Sequence, residues 1–337
     1  MLGQSAVVSD TGRRRRRNED QYVCVPPLFA VADGMGGAQA GEVASGLAAA
    51  VLNEASDGNN EERGEERVAR LIQEANRRVF QRSSEDESTS GMGTTMTVAL
   101  VDGDTIAFGH VGDSRAYRVR GGVLEQLTDD HSLVGELVRS GRLSPEEAES
   151  HPQRSVITRA LGTEPDVDVD TFTIQAEPED IYLLCSDGLT DMVSPRELQS
   201  LLVAHTSDLD ATARALVDAA NAGGGEDNIT VVLFQIAGAA DPDETKQMPV
   251  AVVAEPAPEP DDEDTLSGLD PVAVIDTPAV DTAVISATTV EEQLQQLESG
   301  PESGPERAKP RRRLAPLILL ILLLAVIAVL AYWGLTR

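Results

Sequence analysis

Leu28-Phe29-Ala30-Val31-Ala32-Asp33-Gly34-Met35-Gly36-Gly37 is the stretch on which the reading of this chain turns. Its five apolar residues predict a strand, Leu28–Ala32, that runs into a carboxylate and then a glycine-rich turn. A single Asp-Gly is an ordinary turn former. Here the arrangement recurs. Asp113 follows the strand Ile106–Val111 in Gly112-Asp113-Ser114-Arg115, and Asp187 follows Ile181–Cys185 in Ser186-Asp187-Gly188. Asp227 directly precedes Ile229–Ile236 in Glu226-Asp227-Asn228.

Carboxylates placed at the ends of apolar strands predict convergence on one rim. Such a cluster repels itself unless cations neutralise it. Ligand sets made only of oxygen select hard divalent ions such as Mg2+ or Mn2+, and no Cys/His cluster competes for zinc. Upstream, Arg13–Arg17 leads into Asn18-Glu19-Asp20. An arginine beside such a centre suits a phosphate clamp, because its planar fork binds two oxygens at once. A solvated basic run is the plainer alternative. Hard cations, acidic ligands and an arginine together suit in-line displacement at phosphorus by an activated water.

Further strands are expected at Gln21–Val25, Thr94–Val101, Thr105–Val111, Arg115–Arg120, Val123–Leu127, Val167–Ile174 and Asp180–Cys185. Asp102-Gly103-Asp104 and Gly121-Gly122 read as hairpin turns. Runs of hairpins point to antiparallel sheets. Helices are expected at Ala40–Glu54, at Glu65–Arg82 with Val68, Leu71, Ile72, Ala75 and Val79 on one face, from the N-cap Ser194 onward, and at Leu209–Ala220. The fold class is therefore α+β, a four-layer α-β-β-α sandwich with two central antiparallel sheets.

Composition divides the 337 residues into three parts. Residues 1–238 carry the periodic apolar runs and form the catalytic domain. Residues 239–313, rich in Pro, Ala, Asp and Glu, read as a disordered acidic linker that ends in a basic stop. Over about 70 residues such a tether has a random-coil reach of about 40–50 Å. Residues 314–335 (LAPLILLILLLAVIAVLAYWGL) carry no charge. As a helix they span roughly 33 Å, enough to cross a bilayer. Lys309, Arg311, Arg312 and Arg313 before the span place the catalytic domain in the cytoplasm, in a single-pass protein of the cell membrane, and Tyr332 and Trp333 suit an interfacial anchor. The opening residues carry no signal-peptide pattern.

With 27 Lys+Arg against 57 Asp+Glu, the net charge of −30 argues against a nucleic-acid partner. The two cysteines, Cys24 and Cys185, exclude a disulfide scaffold and fit a reducing compartment.

At its motifs the chain resembles the bacterial metal-dependent protein phosphatases of the protein phosphatase 2C (PPM) family. The likeness covers residues 3–236 through Ser9-Asp10-Thr11-Gly12, Arg15, Asn18-Glu19-Asp20, Val31–Gly37, Gly91–Thr95 and His110–Tyr117. It continues through Asp130-His131-Ser132, Ile157–Gly162, Ser186–Asp191 and Asp227–Thr230. The resemblance implies two to three divalent cations, Mn2+ or Mg2+. Asp33 would bridge two of them, with the Gly34 carbonyl on one and Asp187 and Asp227 on the other. Glu19 would act through water, and Asp20 and Asn228 would support the site from outside. Asp113 with Asp187 would hold a third ion, Asp191 would bind metal-bound water, and Arg15 would take the phosphate. Residues 133–162 look like a mobile flap. Where many eukaryotic members carry a leaving-group histidine, this chain has Met35; His110 and His131 are alternatives by residue type only.

The implied activity is hydrolysis of phosphoserine and phosphothreonine in phosphorylated proteins, opposing Ser/Thr kinases at the membrane. A phosphoprotein-binding scaffold without turnover, or a phosphatase of an anti-sigma-factor antagonist, are the alternatives.

Overall fold

Apolar strands with both faces covered build the centre of the molecule. In Leu28–Met35, Leu28, Ala30 and Ala32 pack with helices on one side, whereas Phe29 and Val31 meet a second sheet on the other. In Ile229–Ile236 the same period of two sends Val231 and Leu233 to helices and Val232 and Phe234 to the sheet interface. A strand covered on both faces has no polar side, so these segments read as continuous apolar runs.

The computed structural model describes residues 2–36, 40–56, 64–85, 87–149, 151–204, 206–237 and 283–284. The chain opens with β1 (Leu2–Asp10), β2 (Asp20–Val25) and β3 (Leu28–Met35), then helices α1 (Ala40–Ser56) and α2 (Gly64–Glu85). Strands β4 (Gly93–Thr94), β5 (Met96–Asp102), β6 (Thr105–Val111), β7 (Arg115–Arg120) and β8 (Val123–Gln126) follow. Two short helices, α3 (Leu133–Arg139) and α4 (Pro145–Glu149), lead to β9 (Val156–Ile157), β10 (Asp170–Gln175) and β11 (Ile181–Cys185). Helices α5 (Asp187–Thr190), α6 (Pro195–Ala204) and α7 (Leu209–Gly223) precede β12 (Ile229–Ile236).

One antiparallel sheet has the order β1-β12-β11-β7-β8; the other has the order β10-β6-β5-β3-β2, with β4 paired to the end of β3. Between them Phe234 stacks on Phe29 with ring centres 4.2 Å apart and on Tyr182 at 5.0 Å. Helices α1 and α2 cover one outer face through Ala44, Ala48, Leu52, Val68, Leu71 and Ile72, and α6 and α7 cover the other through Leu198, Leu202, Ala213 and Leu216. The result is the expected sandwich of two antiparallel sheets between helical layers.

The structure differs from expectation in three places. Strand β1 has no counterpart in the sequence reading: among the described residues it lies at a sheet edge, pairs only with β12, and buries only Ala6 fully, so its composition is mixed. The expected strand Thr94–Val101 is broken at Thr95, whose N–H bonds to the Asp33 carbonyl at 2.9 Å and whose hydroxyl takes the Asp33 N–H. Strand β10 begins at Asp170 rather than Val167. Asp187 follows β11 as expected and also opens α5, after Ser186 at the N-cap.

Among the described residues no helix is long and apolar enough to cross a membrane. The expected span 314–335 lies outside them, as does the expected linker except for Ala283–Val284. That pair forms a short strand, β13, parallel to β9.

Candidate active site

The backbone of Asp33 is held from several directions. Its N–H donates to Thr95 Oγ1 at 3.0 Å, and its carbonyl accepts from Thr94 Oγ1 at 2.8 Å as well as from the Thr95 N–H. Next to it, the Gly34 N–H donates to the Glu19 carbonyl at 3.1 Å. A Cβ at position 34 would lie 2.1 Å from the Gly41 carbonyl oxygen and 2.6 Å from that of Glu19. Only glycine lets β3, the Glu19 segment and the start of α1 meet this closely.

Asn228 ties the loops together. Its Oδ1 accepts the Glu19 N–H at 2.8 Å, and its Nδ2 donates to the carbonyls of Thr11 and Arg17, both at 2.9 Å. Its own N–H donates to Asp227 Oδ1, and the second oxygen of Asp227 accepts from Arg15 Nη2, each at 2.8 Å. One residue thus sets the Glu19 backbone, the arginine run and Asp227 in a single frame.

These elements open onto a cavity of about 580 Å³ lined by Arg15, Arg16, Arg17, Glu19, Asp33, Gly34, Asp113, Asp187, Asp227 and Asn228, with Met35, Gly36 and Ile157. The strand-end carboxylates therefore converge as expected. Arg15 is half-buried, whereas Arg13, Arg14, Arg16 and Arg17 are exposed. Asp20 lies beneath the cavity, 3 % exposed, where Ser186 Oγ donates to its Oδ2 at 2.8 Å. Asp191 is set apart from the main cavity: it lines an adjoining cleft of about 680 Å³ that shares Asp113 and Asp187 with the first. There it faces Arg154 across 3.7 Å.

Crowded carboxylates raise one another's pKa. Burial, then the charges of Asp20, Asp187, Asp227 and Asp113, push Asp33 well above the ordinary range. Burial and the neighbouring Asp113 and Asp227 do the same to Asp187. Asp113 is pushed up to about 7 by burial and Asp130, against the pull of Arg115, and Asp20 rises to about 6, chiefly through burial. Glu19 is raised by burial as well.

Two buried oxygens, Asp20 Oδ1 and Asp187 Oδ1, have no hydrogen-bond partner. Unpartnered carboxylate oxygens in a self-repelling cluster are what a divalent cation corrects. Among the described residues no three of these side chains form a closed coordinating cage. Mg2+-like ions keep several waters and take few protein carboxylates. The residues present thus fit hard divalent cations.

Residues 15–222 match the family model described as protein phosphatase 2C. The chain belongs to the protein phosphatase 2C family. It is 41 % identical over 236 residues to the serine/threonine phosphatase stp of Listeria monocytogenes, covering 67 % of this chain and 93 % of that one. It is 42 % identical over 234 residues to PstP of Mycobacterium tuberculosis, covering 68 % of this chain and 44 % of that protein. A crystal structure of the Mycobacterium tuberculosis phosphatase superposes with a TM-score of 0.67 at 39 % identity, over 70 % of this chain and all of that one. A second structure, the PstP catalytic domain in complex with two manganese ions, gives 0.65 at 36 % identity, over 70 % of this chain and 99 % of that one. As a member of the protein phosphatase 2C family the chain is a serine/threonine protein phosphatase, an enzyme of phosphoprotein hydrolysis.

Several residues of this phosphatase 2C site had no role assigned from the sequence, although Ser186 and Ile157 stand inside its motifs. Ser45 donates to the Glu19 carbonyl, Ser186 serves Asp20, and Ile157 reaches the cavity from β9. The first two are small polar residues whose partners lie 26 and 166 positions away, so no local spacing marks them.

Proposed function

We propose that this chain is a manganese- or magnesium-dependent phosphatase that releases phosphate from phosphoserine and phosphothreonine of proteins at the cytoplasmic face of a membrane, and so opposes Ser/Thr kinases there. The observation that carries this reading is the gathering of Glu19, Asp33, Asp113, Asp187 and Asp227 with Arg15 around one cavity. The manganese reported for the PstP catalytic domain supports the choice of cation. Asp33 would bridge two ions, with the Gly34 carbonyl, Asp187 and Asp227 completing their protein ligands and Glu19 acting through water. Asp113 and Asp187 would hold a third ion, and Asp191, in the adjoining cleft, would hydrogen-bond metal-bound water. Cations bound there lower the pKa of a shared water and shield the phosphoryl oxygens from the acidic wall.

The chain's own residues supply orientation and charge. Arg15, fixed by Asp227, presents its guanidinium to the phosphoryl oxygens at the cavity wall. Asp20 and Asn228 hold this frame from behind. Met35 puts no titratable group beside Gly34, and His110 and His131 are 1 % and 3 % exposed and outside the cavity lining. Neither histidine is therefore placed to protonate the leaving oxygen, whose proton comes from metal-bound water or from another residue of the cavity.

Incubating the full chain with a phosphothreonine peptide, with and without Mn2+, tests the reading. Phosphate release that needs the cation and vanishes in Asp33→Ala supports it; peptide binding without release would establish the scaffold instead. Release from a phosphorylated anti-sigma-factor antagonist alone would select the narrower substrate class. The membrane placement rests on the uncharged stretch 314–335 and the basic residues before it. Protease should reach the catalytic domain in inverted vesicles only; digestion in intact cells overturns the orientation.

A further inference from the structure

His131 grips both backbone groups of Gly112, the residue directly before Asp113. The His131 N–H donates to the Gly112 carbonyl at 2.8 Å, and the Gly112 N–H donates to His131 Nδ1 at 3.0 Å. Gly112 sits at φ +110°, and a Cβ there would come within 2.6 Å of Thr95. The turn that presents Asp113 is thus pressed between Thr95, which also holds Asp33, and the imidazole ring.

The bond from Gly112 fixes the tautomer. A peptide N–H can only donate, so Nδ1 offers its lone pair and Nε2 carries the hydrogen. The acceptor for Nε2–H is Asp170 Oδ2, at 3.2 Å. Arg159 Nη1 also lies 3.1 Å from Nε2, but two donors do not bond; its partners are Asp170 Oδ1 at 2.5 Å and the Asp168 carbonyl at 3.2 Å. Asp170 therefore clamps the ring and Arg159 together.

The same residue anchors the flap. The His131 carbonyl accepts the Thr158 N–H at 2.8 Å, and Ser132 forms an antiparallel bridge with Ile157, which lines the catalytic cavity and packs with Met35 and Ala160. A single buried side chain and its backbone thus join the root of the flap, the Asp113 turn and the edge strand β10.

We propose that His131 is a positioning residue: through Nδ1 on Gly112 and its carbonyl on Thr158, it aligns the Asp113 carboxylate with the flap wall of the catalytic cavity. Where this concerns a cation on Asp113, it rests on the metal-dependent reading above. The positioning itself is separable from that reading.

The test compares His131→Asn, whose Oδ1 replaces the Nδ1 acceptor, with His131→Gln, whose amide reaches only the Nε2 position. In the metal-free full chain, amide exchange at Gly112 and Thr158 is expected to stay near parental in the Asn variant and to quicken in the Gln variant. The chain has four histidines, so 15N-histidine labelling resolves them individually. The signal absent from the Asn variant should show an unprotonated Nδ1 and a protonated Nε2. Manganese titration followed by electron paramagnetic resonance should show the weakest sites loosened about 10–100-fold in the Gln variant, the range seen when a ligand's supporting partner is lost, with the tighter sites unmoved. A hydrogen on Nδ1, or equal Gly112 exchange in both variants, overturns the proposal. A parent that binds no manganese would refute the metal-dependent reading, while the exchange and 15N results would still decide the role of His131.

Discussion

The carboxylate floor and the flap over residues 133–162 border the same cavity but are held by different forces. The floor is fixed by the sandwich: Asp33 extends β3, whose apolar residues Leu28–Ala32 are at most 1 % exposed, and Asp227 precedes β12, which is buried except at Gln235. The flap is made of two short helices, of seven and five residues. Its ends are tied by Thr94–Leu161, Ser132–Ile157 and the His131–Thr158 bond. The floor rests on many more buried apolar residues than the flap, which buries Leu133, Leu137, Ile157, Ala160 and Leu161, so the floor can carry more charge that opposes folding. Substitutions on the two sides should therefore differ in sign as well as size.

The largest effect is expected on the floor. Asp33→Ala should lower kcat/KM by about 10³-fold or more, since it deletes the group at the centre of the acidic cluster. Asp33→Asn should be equally inactive, yet in the absence of metal it should unfold at a higher temperature than the parent, because it removes a buried charge that burial and four aspartates disfavour. Phosphate-release kinetics and calorimetry on the same preparations check both halves. An Asn variant that is both inactive and less stable would mean that Asp33 is a structural residue.

The pH dependence sharpens the contrast. Asp113 titrates near 7 in the folded chain and near the ordinary aspartate value when unfolded. Between about pH 4 and 7 the folded state holds the extra proton, so this group's contribution to stability falls as pH rises, by about 1.4 kcal/mol for each unit, and is constant outside that window. Metal-free Asp113→Asn should therefore match the parent near pH 4 and exceed it progressively up to pH 7. Added Mn2+ should raise the parent's Tm more at pH 7.5 than at pH 5, because cations and protons compete for the same oxygens. Thermal unfolding across that range checks this; a gap that closes as pH rises would contradict the electrostatic account.

A smaller loss is expected beneath the floor. Ser186 Oγ donates to Asp20 Oδ2 at 2.8 Å and accepts the Thr230 N–H at 3.0 Å. Ser186→Ala should destabilise the chain by about 1–3 kcal/mol, the cost of unsatisfied buried partners. The donor holds the Asp20 pKa down, and that carboxyl titrates near 6, so the penalty should be greater at pH 7.5 than at pH 5. Urea unfolding at the two pH values measures it.

The same division governs what the residue pattern reveals. The floor was legible because packing writes itself locally: apolar runs such as Ile229–Ile236 must be buried, and the Asp at their ends must then lie at a sheet rim. The helix faces were legible for the same reason, with Val68, Leu71, Ile72, Ala75 and Val79 buried on α2. Strand β1 was not, because an edge strand half open to solvent needs no apolar period. Nor was the network of His131, Arg159 and Asp170, whose partners stand 28 and 39 residues from the histidine and carry no periodic signal. The displacement of Asp191 into the neighbouring cleft also escaped the pattern. Asp187 opens α5 while Asp191 is its C-cap, a separation by one helical turn that spacing alone does not resolve.

The smallest expected effect lies between the two regions and discriminates best between them. Arg154, from the flap, faces Asp191 at 3.7 Å, with the two side chains 42 % and 40 % exposed. At that exposure the pair contributes little to folding, within about 0.5 kcal/mol, because water and salt screen it. Arg154→Ala should therefore leave Tm nearly unchanged. Asp191 is raised by burial and relieved mainly by Arg154, so removing the arginine should push its carboxyl higher still. If Asp191 serves catalysis as a carboxylate, the acid limb of the kcat/KM profile should move to higher pH in Arg154→Ala, while the rate above neutral pH stays close to parental. A stability loss of several kcal/mol would show that the flap is packed as firmly as the floor, and an unmoved acid limb would remove Asp191 from the catalytic set.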